Sequence, residues 1–173
     1  MSRFLITGLP RSRTAWFSVA CTTDRATCYH EPYFADFAAL KSWWMAWPGA
    51  HAVGVSDSGL GTNLAQVFDE IKPRTLIVER PIFDVLRSFD AYVGHHALYA
   101  REPIVSLHKA LEAVEHPLIK RVAYADLERR DVLEGCFDWL GVQPLNLEQI
   151  SHMRVNSDLG YNMAKLRQLR AAV

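Results

Sequence analysis

Short runs of apolar, often β-branched residues alternate along this chain with longer stretches in which apolar positions recur at helical spacing. The short runs predict five strands: Arg3 to Thr7, Thr27 to His30, Ala52 to Ser56, Thr75 to Glu79 and Ile119 to Tyr124. The longer stretches predict helices over Ser12 to Thr23, Tyr33 to Trp47, Leu60 to Ile71, Ile82 to Tyr99, Val105 to Val114 and Val132 to Leu140, with another near the C-terminus. Strands alternating with helices are the signature of βαβ units, so the expected fold class is α/β, a three-layer αβα sandwich around a mainly parallel five-stranded sheet. Pro48, Gly49, Pro73, Pro81, Pro117 and Gly141 fall at the predicted boundaries, where proline and glycine are tolerated or required.

Composition narrows this picture. A chain of 173 residues, 50% apolar and 22% charged, can bury one sizeable core but is short for two, so one domain over residues 1–173 is expected. Lys plus Arg equals Asp plus Glu at 19 each, which removes any global field toward nucleic acid or an anionic membrane, and any anion site must be local. The odd cysteine count (Cys21, Cys28, Cys136) argues against a disulfide framework and fits a reducing, cytoplasmic setting. The N-terminal apolar run is too short for a signal sequence or a membrane span. The sequence leaves a homodimer open.

In an open parallel sheet, ligands gather beyond the carboxyl ends of the strands. After the first strand comes Gly8-Leu9-Pro10-Arg11-Ser12-Arg13-Thr14-Ala15-Trp16. Backbone amides at the start of the following helix lack intrahelical partners and suit an anion, with Arg11 and Arg13 adding charge and Ser12 and Thr14 adding hydroxyls. The plainer alternative is a tight strand-to-helix turn with solvated arginines and Ser12 as the helix cap. The Walker A pattern fails, because Arg13 and Thr14 stand where it demands glycine and lysine. The segment resembles instead the 5′-phosphosulfate loop of the PAPS-dependent sulfotransferase family, of the form PKSGTTW or PRSGTT. The resemblance implies that Arg11, Ser12, Arg13, Thr14 and Ala15 wrap the 5′-phosphate side of the nucleotide and that Arg11 faces the leaving oxygen. Arg13 departs from the family's glycine, which raises the question of a positive φ, and Ala15 departs from its threonine. Trp16 stands where some members stack an aromatic on adenine, and a core tryptophan is the alternative.

The fourth strand ends in Glu79-Arg80-Pro81, and Ser88 follows about two helical turns later. The segment is similar to the family's 3′-phosphate motif RxPxDVxxS: Arg80, Asp84, Val85 and Ser88 match in register, and the proline falls one place early. Either residue alone has a structural alternative, an arginine bracing a helix end or a serine facing backbone. The family as a whole implies a P-loop, nucleotide-kinase-like fold, PAPS as sulfuryl donor with 3′,5′-ADP as product, no metal, and a short bacterial or phage-type member. Tyr124-Ala125-Asp126-Leu127 and the Phe137 to Gly141 segment resemble YEDL and FLG segments of the family and read as structural.

Glu31, after Tyr29-His30 at the second strand end, is the first candidate for the base that deprotonates the acceptor. His30 is a further candidate, and for Glu31 a helix-capping or arginine-pairing role stays open. Asp57, after the third strand, reads first as a cap for the next helix, and otherwise as an acceptor-binding residue or a magnesium ligand of a Mg·ATP-dependent kinase. A non-catalytic nucleotide-binding module is a further rival. Trp43, Trp44 and Trp47 read as core or interface before acceptor site. His95 and His96 are adjacent and so face apart on a helix. The basic tail with Arg154, Lys165, Arg167 and Arg170 is a candidate lid with no assigned match.

Overall fold

A computed structural model describes residues 2–32, 37–47, 51–93, 97–144 and 147–148. Its strands are β1 (Arg3–Gly8), β2 (Ala26–His30), β3 (Ala52–Ser56), β4 (Arg74–Glu79) and β5 (Ile119–Ala123). They are all parallel, in the order β2-β3-β1-β4-β5. The helices are α1 (Thr14–Ala20), α2 (Phe37–Met45), α3 (Leu64–Glu70), α4 (Ile82–Val93), α5 (Ala97–Ala113) and α6 (Arg130–Leu140). Two 3-10 turns, Gly59–Asn63 and Tyr124–Glu128, precede α3 and α6.

Side chains alternate across the sheet, and each face builds its own core. Phe4 and Ile6 of β1 pack on one side with Trp16 and Phe17 of α1 and Leu133, Phe137 and Leu140 of α6. Leu5 of β1 packs on the other with Leu40 and Trp44 of α2, Val67 and Phe68 of α3, Val85 of α4 and Leu107 of α5. This is the three-layer αβα arrangement the alternation predicts. The division follows from right-handed crossovers, which send the β1-to-β2 connection to one face and the β3-to-β4 and β4-to-β5 connections to the opposite face. The chain therefore leaves the adjacent strands β1 and β4 toward opposite faces, and a crevice opens between their carboxyl ends.

Several helix boundaries differ from those the sequence predicts, and α4 ends at Val93 rather than at Tyr99. The first helix covers only Thr14–Ala20. The segment from Leu60 begins as a 3-10 turn. The predicted break between Tyr99 and Val105 is absent, because α5 runs through Pro103. Pro103 forfeits one backbone bond, at about 3 kcal/mol. Ile104, Leu107 and Leu111, spaced to one face, are each buried in the second core, at about 1.5–3 kcal/mol apiece, and outweigh it.

Cys21, Cys28 and Cys136 are buried free thiols. Burial pushes the Cys21 and Cys28 thiols well above their ordinary value, which keeps them unreactive. No helix among the described residues is long and apolar enough to cross a membrane. His95, His96 and the tail from residue 149 lie outside the described residues.

Candidate functional site

The crevice between β1 and β4 is closed at its base by a backbone contact that only glycine permits. Gly8 stands opposite Val78 in the parallel register, and a Cβ on Gly8 would lie 2.6 Å from the Val78 carbonyl oxygen. The chain then turns through residues 9–13 into α1. Arg11 (φ 67°) and Arg13 (φ 62°) both adopt the left-handed conformation. Such residues cost about 1–3 kcal/mol each and persist where surrounding contacts over-determine them. Left-handed and turn residues in succession aim backbone amides inward as an anion-binding nest. Three of the four non-glycine residues with positive φ among the described residues, Arg11, Arg13 and Glu31, lie on strand-end loops of this face.

The contacts that hold the loop come from distant parts of the chain. Arg80 Nη1 donates a hydrogen bond to the Arg11 carbonyl. Arg11 Nε lies 3.5 Å from Ser88 Oγ, at the outer limit of a hydrogen bond, and its guanidinium sits 4.6 Å above the Tyr92 ring. A single ring, Tyr124, faces two site arginines, with the Arg80 guanidinium at 4.5 Å and that of Arg13 at 5.2 Å. Arg13 Nη2 also reaches Glu128 Oε1 at 3.4 Å. On the β3 side, the buried Ser56 hydroxyl donates to the Thr14 carbonyl at 2.7 Å.

The predicted Ser12 cap is not formed: Arg13 occupies the cap position of α1, and Ser12 Oγ is buried with no hydrogen-bond partner among the described residues. An orphaned buried hydroxyl costs about 1–3 kcal/mol unless something accepts or donates to it. The first intrahelical bond of α1 runs from the Phe17 amide to the Arg13 carbonyl, so Thr14 and Ala15 precede the helical ladder. α1 has only seven residues, so its dipole is short, and Arg11 and Arg13 bring full charges to the same strand end.

Trp16 requires a correction. Its ring is 5% exposed and packs edge-on against Phe17 at 4.9 Å and beside Phe137 at 6.4 Å, inside the core under the α1–α6 layer. It therefore offers no open face for an adenine. Trp44 is likewise fully buried, its Nε1 donating to the Val53 carbonyl, whereas Trp43 and Trp47 cluster with Tyr29.

No family model matches this chain, and no curated protein is detectably similar in sequence. Solved structures do match. A sulfotransferase from Alicyclobacillus acidocaldarius superposes with a TM-score of 0.60 over 96% of this chain and 91% of its own, at 13% identity. A mouse sulfotransferase complexed with PAP gives 0.60 over 87% of this chain at 13% identity, and this chain spans 63% of that one. A sulfotransferase domain from the curacin biosynthetic pathway gives 0.57 at 12% identity, over 89% of this chain and 78% of its own. This is the fold of the sulfotransferases.

On the other side of the sulfotransferase-type sheet, β2 and β3 end in a second group. Glu31 continues the β2–β3 pairing through its amide, bonded to the Ser56 carbonyl at 2.9 Å, and then turns left-handed (φ 42°). Glu31 Oε1 accepts from Ser58 Oγ at 3.4 Å and lies 3.9 Å from His30 Nε2, while the carboxylate stays half exposed. Asp57 Oδ1 accepts the amides of Gly59 at 2.7 Å and Leu60 at 3.2 Å, the capping role put first for it. Burial nevertheless raises the Asp57 carboxyl above its ordinary value, against those amide bonds. Beside these residues opens a cavity of about 230 Å³, with Phe37, Leu40 and Leu60 as its apolar lining and Asp57 and Asn63 as its polar one.

Sequence reasoning missed Tyr92 and Tyr124 as members of the site. The available signal was position: Tyr124 directly follows β5, and Tyr92 lies one helical turn beyond Ser88 on α4.

Proposed function

We propose that this protein is a PAPS-dependent sulfotransferase acting on a hydroxyl or amine of a small acceptor. The observation that carries the reading is the contact between the two strand-end motifs: Arg80 bonded to the Arg11 carbonyl, and Arg11 Nε beside Ser88 Oγ. Two strand-end segments 77 residues apart in the chain thereby meet, as binding of a nucleotide with phosphates on both its 5′ and 3′ positions requires. The PAP complex of the structurally similar mouse protein supports the same nucleotide, since PAP is 3′,5′-ADP.

The residues present fit such a group. The left-handed Arg11 and Arg13 shape a nest of amides, Gly8 leaves no bulk at its base, and Ser12 Oγ is an unpartnered hydroxyl in its wall. PAPS would supply an activated sulfuryl group: the acceptor oxygen or nitrogen bonds to sulfur as the sulfur–oxygen bond to the 5′-phosphate breaks, yielding the sulfated acceptor, 3′,5′-ADP and a proton. In this reading Arg11, Ser12 and the amides around Arg13, Thr14 and Ala15 bind the 5′-phosphate, and Arg11 stabilises charge on the leaving oxygen. Preorganised donors of this kind suffice for an in-line transfer that is mainly positioning and charge stabilisation. Arg80 and Ser88 hold the 3′-phosphate. Glu31 receives the acceptor's proton, with His30 beside it. Tyr92 lies against Arg11 and Tyr124 against Arg13 and Arg80, and Arg13 also pairs with Glu128.

Thermal unfolding tests the reading, because a ligand that binds only the folded state raises its stability. Stabilisation by 3′,5′-ADP without metal, together with sulfate transfer from labelled PAPS to a broad acceptor panel, is the expected result. Preference for Mg·ATP would replace it with a kinase, and 3′,5′-ADP binding without any transfer would leave a nucleotide-binding module.

A further inference from the structure

Arg13 belongs to the β1–α1 turn by its backbone, but its side chain ends elsewhere. The register that pairs Glu79 with Ala123 brings Arg80 and Tyr124, the residues that follow them, to neighbouring strand ends. The Arg80 guanidinium lies 4.5 Å from the centre of the Tyr124 ring, and that of Arg13 reaches the same ring at 5.2 Å. Arg13 thus carries its charge from the end of β1 to the ends of β4 and β5. Arg11 goes the other way, toward Ser88 and Tyr92 on α4.

Charge at the Tyr124 ring is out of balance. Arg80 donates to the Arg11 carbonyl and faces the ring, and neither contact neutralises it. Arg13 Nη2 has Glu128 Oε1 at 3.4 Å, but the Glu128 side chain is 80% exposed, and ion pairs of that kind are screened by water and weak. Two guanidiniums gathered at one ring repel each other unless an anion joins them, and each can give a phosphate charge-assisted hydrogen bonds. The backbone sharpens the point. A φ of 62° suits glycine and strains an arginine, and the Arg13 side chain is 27% exposed, so burial does not account for an arginine at this turn.

We propose that the Arg13 guanidinium is a second ligand of the 3′-phosphate, acting beside Arg80, and that it makes the protein select nucleotides carrying that group. This rests on the sulfotransferase reading and adds a specificity-determining residue to it. The Arg13 amide stays with the 5′-phosphate loop while its side chain serves the other phosphate, so one residue ties the two halves of the nucleotide site together.

Isothermal titration of 3′,5′-ADP, 3′-AMP and 5′-AMP into wild type, Arg13→Gly and Arg13→Ala tests it. Glycine removes the guanidinium and keeps the left-handed turn, and alanine serves as the second variant. Wild type should bind 3′,5′-ADP more tightly than 5′-AMP. In both variants the affinities for 3′,5′-ADP and 3′-AMP should fall about tenfold, with that for 5′-AMP within about twofold of wild type. An equal loss for all three nucleotides would assign Arg13 to the base. A loss confined to 3′,5′-ADP and 5′-AMP would assign it to the 5′-phosphate, and no loss would leave it out of the site. Each of these results overturns the proposal. A wild-type protein that does not distinguish 3′,5′-ADP from 5′-AMP would mean that the sulfotransferase reading has failed first, whereas a wild-type preference that survives in full in Arg13→Gly removes the role of Arg13 alone.

Discussion

Arg11 Nε and Ser88 Oγ stand 3.5 Å apart, although one residue follows β1 and the other lies in the second turn of α4. The contact exists because β1 and β4 are neighbours in the sheet whose chains depart toward opposite faces. It brings together the residues proposed for the 5′-phosphate and the 3′-phosphate, and the two proposed roles can be separated by nucleotides carrying one or both phosphates.

Ser88→Ala is expected to weaken 3′,5′-ADP about fivefold, the worth of one hydrogen bond, while 5′-AMP affinity changes less. Arg11→Ala should weaken both nucleotides. Isothermal titration reads the difference, and an equal loss of both nucleotides in Ser88→Ala would remove Ser88 from the 3′ site.

Glu31→Gln preserves the size of the side chain and its capacity to accept from Ser58, but cannot take a proton. Turnover should fall about a hundredfold or more, as for other general bases, with 3′,5′-ADP affinity unchanged. Wild-type turnover in the purified variant would take Glu31 out of the base role.

Arg13 holds a left-handed conformation that glycine adopts without strain. Arg13→Gly and Arg13→Ala lose the same contacts to Tyr124 and Glu128, so their difference isolates the backbone. Chemical denaturation should find the glycine variant more stable by about 1 kcal/mol. An alanine variant of equal or greater stability would mean the loop relaxes out of this conformation once the guanidinium is gone.

The Asp57 carboxyl titrates above its ordinary value of 3.8 because burial disfavours its charged form. A raised folded-state value means the native state holds this proton more tightly than the unfolded chain does. Its stabilising contribution is therefore complete below pH 3.8 and is lost as pH rises through the folded-state value. Asn at 57 keeps the amide-accepting oxygen and does not titrate. The Tm of Asp57→Asn relative to wild type should therefore become more favourable as pH rises from 3.8 and level off above the folded-state value. A difference that shrinks with rising pH would show that the Gly59 and Leu60 amides outweigh burial.

Much of the fold was legible in local pattern. All five strands were placed within two residues at either end, because parallel strands buried on both faces read as short apolar runs. Helix limits were less legible. Pro103 marks a break by its own chemistry, yet the burial of Ile104, Leu107 and Leu111 carries α5 through it. Among the candidate site residues, Arg11, Arg80 and Ser88 come together, and Asp57 caps its turn as read. Trp16 could not be assigned from sequence, since an aromatic after a phosphate loop suits a core as well as a base.

By itself, the sequence determined the alternation of strands and helices and the placement of Arg11, Glu31, Asp57 and Arg80 at strand ends. Those features depend on period and on turn chemistry, which are local. Only the tertiary structure decided that the β1 and β4 ends lie side by side, that Trp16 faces the core, that Tyr124 lies against two arginines, and that a cavity lined by Phe37, Leu40, Leu60 and Asp57 opens at the β2 and β3 ends. Each of these depends on strand order and on which side of the sheet a crossover runs, quantities settled by packing between residues far apart in the chain.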